Sequence, residues 1–139
     1  MLKNKILVLL LTPLIFFLSC KKMIENKQKD VFVAVMVAGE WHVEKYIEAE
    51  TPITEQFNGY RFQFNEDGSV MGSLNGAAAK GTWEGDIQNR SISSNFPDAD
   101  NPVKKLNGDW KITDSGLNFV HAEMETAAGK MLLHLEKLP

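Results

Sequence analysis

Cysteine is nearly absent: the chain has one, Cys20, so no internal disulfide can staple the fold. Long apolar runs are absent too. The longest, residues 6–18, is broken by Thr12 and Pro13 and falls short of the roughly 20 apolar residues that a helix needs to cross a bilayer. Excess positive charge is missing: 15 basic side chains face 18 acidic ones, and from residue 31 onward the balance is 9 to 16, formally −7. Such a surface repels the phosphate backbone that Lys and Arg must neutralise, so no nucleic-acid partner is expected. Catalytic signatures are lacking as well. There is no Gly-x-Ser-x-Gly elbow, and His42, His121 and His134 fall on separate segments with no His-x-His or His-Glu-x-x-His spacing. "DADNP", residues 98–102, starts like a calcium loop but has Val103 where glycine is required and Asp109 where glutamate is required. Glu48 and Glu50, like Glu123 and Glu125, are neighbours on one strand face, not opposed acids across a sugar. The chain is therefore expected to be non-enzymatic, with no metal and no cofactor.

What is present begins at the N-terminus. Lys3 and Lys5 precede the apolar run, and Ser19 and Cys20 follow it, which is the layout of a secretory signal. Phe17-Leu18-Ser19-Cys20 resembles a bacterial lipobox, where cleavage precedes a cysteine that carries diacylglycerol. The resemblance implies a signal peptide over 1–19 and a lipid anchor at Cys20. A plain cleaved signal and an uncleaved anchor are the alternatives. Acylation consumes a thiol that would otherwise be a leftover in an oxidising compartment. Residues 20–30, "CKKMIENKQKD", read as a polar tether of unspecified conformation; its lysines can reach anionic headgroups, but a solvated tether is the blander reading. Surface lipoproteins of Bacteroidota type carry an acidic cluster after the cysteine. Lysines stand there in this chain, which favours the periplasmic face of the outer membrane.

From Trp41 onward the pattern has period two and is punctuated by turns, the mark of half-buried antiparallel strands. "WHVEKYI" puts Trp41, Val43 and Ile47 on one face and Tyr46 on the other; "YRFQF" puts Tyr60, Phe62 and Phe64 together; "NEDGS" is a turn in which Gly68 takes positive φ. "VMGSL", "TWEG", "SISSNF", "DWKIT", "LNFVHAEM" and "KMLLHLEKL" complete eight strands, with "NGAAAKG" as a connection. The phase of Leu117 and Phe119 sends His121 inward, and alternation against Met131, Leu133 and Leu135 sends His134 outward, with Val120, Met124 and Leu132 as outward apolar positions. Eight short strands close most economically as an antiparallel up-and-down barrel, which removes exposed edges; an open sandwich is the alternative. "VFVAVMVA", residues 31–38, lies between Asp30, a candidate N-cap, and Gly39, a candidate stop. It reads as a short helix over one barrel mouth, within a domain spanning 31–139.

Gly-x-Trp occurs at 39, 81 and 108 and uses all three tryptophans. Each glycine lets a strand enter beside a bulky ring that fills the barrel, or a ring faces a ligand. With "GEW", "TEQFNGYRFQFNEDGSV", "GTWEG", "LNGDWKI" and "LHLEKL", the chain from Gly39 to Leu138 resembles the small lipocalin-like lipoproteins of Bacteroidota. That resemblance implies a calycin-type barrel without catalytic residues. In lipocalins the first Gly-x-Trp pairs with a late basic side chain; here Gly39 and Trp41 match, and Lys137 holds the late position. Candidate ligand-lining or core residues are Trp41, Tyr60, Phe62, Trp83, Trp110, Phe119 and His121. The expected partners are a membrane through Cys20 and either a small apolar or amphipathic ligand or, with a filled barrel, an envelope protein.

Overall fold

The computed structural model describes residues 2–139, with side chains from Cys20 onward; the side chains of residues 1–19, the expected signal peptide, lie outside the described residues. The first element is α1 (Leu2–Val37). It stops where Gly39 takes φ +80°, a conformation in which glycine carries no Cβ penalty. The helix expected over 31–38 is therefore present, but it starts far upstream. The stretch 21–30 has no glycine or proline and is rich in Lys, Glu and Gln, all good helix formers, so the tether is helical and Asp30 is an internal residue and not an N-cap.

Among the described residues nine strands follow: β1 (Trp41–Glu48), β2 (Thr51–Pro52), β3 (Arg61–Phe64), β4 (Ser69–Leu74), β5 (Ala77–Asp86), β6 (Ser91–Asn95), β7 (Gly108–Ser115), β8 (Phe119–Thr126) and β9 (Gly129–Lys137). Consecutive strands from β3 to β9 pair antiparallel, and β9 returns to β1 over seven register pairs from Trp41↔Lys137 to Glu48↔Met131. β1 meets β3 at one pair, Trp41↔Phe62. Apart from the two-residue β2, this is a closed eight-stranded up-and-down barrel.

Two register details differ from the sequence pattern. β1 carries a bulge between Val43 and Lys45, and an extra residue reverses every later side chain. Tyr46 is consequently buried and Ile47 faces out beside Leu132, the reverse of the expected alternation. "AAAKG" is strand, because Asn75 (φ +50°) and Gly76 (φ +84°) make a two-residue hairpin turn between Leu74 and Ala77.

Both ends of the barrel are closed. At one end Met36 of α1 is fully buried and Phe32, Val33, Val35 and Val37 pack against the core. At the other, short 3-10 helices at Thr54–Phe57 and Val103–Leu106 insert Phe57, Val103 and Leu106. The Lys105–Glu48 ion pair ties the second of these to β1. Every core side chain lies between Phe32 and Leu135, so the segment from residue 20 onward retains the whole described core.

The three Gly-x-Trp motifs fasten these closures. Trp41 Nε1 donates to Met36 O of α1, Trp83 Nε1 to Asn65 O of the β3–β4 turn, and Trp110 Nε1 to Leu106 O, each at 2.9 Å. Gly39 is needed for its φ and Gly81 for space: a Cβ at Gly81 would stand 2.5 Å from Asn95 O and 2.8 Å from the Phe96 ring. Gly81→Ala is expected to destabilise the domain, because the nearer clash is with backbone. Trp41→Ala should cost about 3–5 kcal/mol in urea unfolding, and Trp41→Phe about 1–3 kcal/mol through the orphaned Met36 carbonyl.

Candidate functional site

The barrel interior is filled by side chains. Trp41, Trp110, Tyr46, Phe57, Phe62 and Phe96 are essentially fully buried, and among the described residues no polar or charged residue is buried with them. Their rings interlock: Tyr46 stacks on Phe57 at 5.3 Å and meets Trp110 edge-on at 5.9 Å, while Phe62 meets Phe96 edge-on at 6.4 Å, the geometries that aromatic quadrupoles favour. The Tyr46 hydroxyl donates to Lys105 O at 2.8 Å, and burial, with a contribution from Glu48, pushes its pKa up to about 12. An internal void between Phe62, Ile92, Trp110 and Leu133 measures about 30 Å³. One water occupies about that volume in the liquid, and the void offers hardly any polar partner. Beside these side chains the void leaves no room for a small organic molecule.

Seven residues were expected to line a ligand or the core. Trp41, Phe62, Trp83 and Trp110 are buried and Tyr60 is half-buried at the rim. Phe119 and His121 are placed elsewhere, on the outer face. Residues 116–118 are a connection that does not carry the phase of Leu117 into β8, and within the strand the buried set is Val120 and Ala122, with Met124 packed against the core. Val120, expected outward, is 2% exposed. His121 stacks on His134 of β9 at 3.6 Å between ring centroids, a cross-strand pair that separation along the chain concealed. Glu44 approaches His134 Nδ1 at 3.6 Å. Among the described residues no group of three or more His, Cys, Asp or Glu can hold a metal ion.

Space for a ligand lies instead at the mouth covered by α1. A groove of about 730 Å³ runs between the helix and the loops after β5 and β7. Its apolar walls are Val31, Phe32 and Val35 of α1 with Ile87, Ile112 and Leu117. Phe32 packs against Gly85, where a Cβ would stand 2.6 Å from its ring. At the edge stand Lys27 and Arg90, neither with an ion-pair partner among the described residues. Arg90 is fixed by its backbone, since it adopts φ +50° and its carbonyl accepts from Ile112 N at 2.7 Å. Sequence periodicity missed this site because it is built from a helix face and two turns that no local pattern joins.

At the same end Lys137 Nζ lies 5.2 Å from the centroid of the Trp41 ring, a cation–π distance. The late basic side chain thus covers the tryptophan of the first Gly-x-Trp. The fold is a closed antiparallel up-and-down barrel. Solved structures that match it include a DUF4847 family protein from Bacteroides vulgatus, with TM-score 0.53 and 16% identity over 76% of this chain and 98% of that one, and a lipocalin-like protein from Bacteroides uniformis, with TM-score 0.49 and 15% identity over 73% and 98%. At this identity the likeness is one of fold. No family model and no curated protein matches the sequence.

His134 gives the domain a pH dependence. Burial, then His121 and Lys45, hold the His134 pKa below its usual value, with Glu44 opposing. The unfolded chain therefore binds more protons than the native one just below about pH 6.5, so stability falls as pH drops through that value. His134→Gln should flatten the slope of urea stability between about pH 7.5 and about pH 6.

Proposed function

We propose that this chain is a non-enzymatic lipoprotein of the cell envelope, anchored through acylated Cys20 to the periplasmic face of the outer membrane. It binds a small amphipathic ligand in the groove between α1 and the barrel mouth, outside the barrel itself. The contrast in volume carries the reading: about 730 Å³ at the mouth against about 30 Å³ inside, where pockets for small molecules span roughly 300–1,000 Å³. Apolar walls with two cations at the rim suit a ligand with an apolar body and one acidic head. Anchoring is supported by the sequence around Cys20, which is exposed.

The filled interior also favours a second reading, an envelope protein-interaction module. The two readings separate in one titration. With residues 1–19 removed and Cys20→Ser, the protein should bind a fluorescent long-chain carboxylate such as cis-parinaric acid saturably and one to one. Lys27→Ala and Arg90→Asn should each weaken binding about two- to fivefold, the worth of an exposed ion pair; asparagine keeps the left-handed backbone accessible at position 90. Absence of saturable binding contradicts the ligand site and leaves the interaction module. Separately, Cys20→Ser in the full chain should move the protein from the detergent phase to the aqueous phase on cloud-point partition; unchanged partition contradicts lipid anchoring.

A further inference from the structure

Closure removes strand edges only where neighbouring strands run equally far, and at the end away from α1 two of them do not: β5 has ten residues and β6 five. They pair from Asp86↔Ser91 to Thr82↔Asn95 and no further. Extending this register sets Lys80 against Pro97, which has no N–H to give, and the chain turns off there towards the 3-10 helix at Val103–Leu106. Residues 77–81 consequently keep one strand neighbour, β4, and their other side is a free edge. The phase of the ladder shows what that edge offers. The residues flanking the two-residue turn Asn75-Gly76, Leu74↔Ala77, exchange both hydrogen bonds, and bonded and non-bonded pairs alternate from there. Ala78 and Lys80 therefore point their N–H and C=O groups away from β4. Among the described residues none of these four groups has a hydrogen-bond partner.

A cleft of about 460 Å³ runs along this edge, with Tyr60, Ala79 and Val103 on its floor and the loop 98–101 as its far wall. Ala77 and Ala78 are exposed and small, so no side chain of theirs shields the backbone. Lys80 offsets one of the two wall carboxylates, Asp98 and Asp100; charge does not choose the occupant, and the unpaired backbone does. We propose that this edge binds an extended peptide segment of another protein, which adds antiparallel to β5 in the place that β6 leaves at Pro97. In strand addition, main-chain hydrogen bonds give affinity and pockets for alternate side chains give specificity. Paired residues share a face of the sheet. Ala79 packs against the core, so the peptide residue opposite it points inward over Tyr60 and Val103, while those opposite Ala78 and Lys80 point outward. An apolar residue between two polar ones fits that order. The site is at the opposite end from the groove and needs neither acylation of Cys20 nor a ligand under α1.

The test is an NMR titration of the unacylated protein from residue 20 onward, carrying Cys20→Ser, with the capped peptide Thr-Val-Thr-Val-Thr. Binding should saturate at one to one, shift the amides of Ala78, Ala79 and Lys80, and slow hydrogen exchange at Ala78 and Lys80. With valine inward, the threonine amides face β5 and the valine amides face away. The peptide N-methylated on its threonines should therefore lose binding, and the one N-methylated on its valines should keep it; this comparison needs no change to the protein. Ala78→Pro removes a donor that points away from β4, a place where an edge strand accepts proline. It should keep the parent's thermal midpoint and weaken binding about five- to tenfold, the worth of one hydrogen bond. Absence of saturable binding, equal binding of the two methylated peptides, or shifts confined to Lys27, Val31 and Arg90 overturns the proposal.

Discussion

At Trp41 three parts of the molecule meet. Its backbone pairs with Phe62 of β3 on one side and Lys137 of β9 on the other, which is where the sheet closes on itself. Its indole N–H holds the Met36 carbonyl and so the end of α1, and the ring lies under the Lys137 ammonium. A closed barrel has no free edge, but it needs each mouth stoppered if its apolar interior is to stay dry. Trp41 joins closure and stopper in one fully buried side chain. Trp83 and Trp110 repeat the device, each giving its N–H to a carbonyl of a connecting segment. The Gly-x-Trp motifs are therefore structural.

The same economy displaces function from the interior. Eight strands enclose a space that side chains can fill or that one small ligand can occupy, and large aromatic residues take it here. The features left with chemical potential are on the closing pieces: the groove under α1, its unpaired cations, and the apolar face of the helix. They lie at one end, next to Cys20. Groove and helix face then belong to one end of the molecule.

Much of the barrel was legible because period-two alternation reports which face of a strand is buried. It succeeded for Tyr60, Phe62 and Phe64, where the strand is regular. It failed at Tyr46 and Ile47, because a bulge leaves no mark in local hydropathy, and at Phe119 and His121, because the phase was carried across a loop. Asn75-Gly76 was a readable hairpin signal inside a stretch taken as connection. The groove was not legible: Lys27, Val31, Ile87, Arg90 and Leu117 come together only once α1 has crossed the mouth. The length of α1 could have been read from the absence of helix breakers in 21–30, although such a segment supports a flexible tether as readily when nothing is known of what it packs against.

The central claim is that the ligand site has moved from the barrel to its mouth, and residue-resolved NMR titration of the unacylated protein from residue 20 with a long-chain carboxylate tests it most directly. The account predicts saturating shift changes at Lys27, Val31, Ile87, Arg90 and Leu117, with the indole N–H of Trp110 and the ring of Phe62 unmoved. Saturating changes at Phe62 and Trp110 without changes along α1 would contradict it.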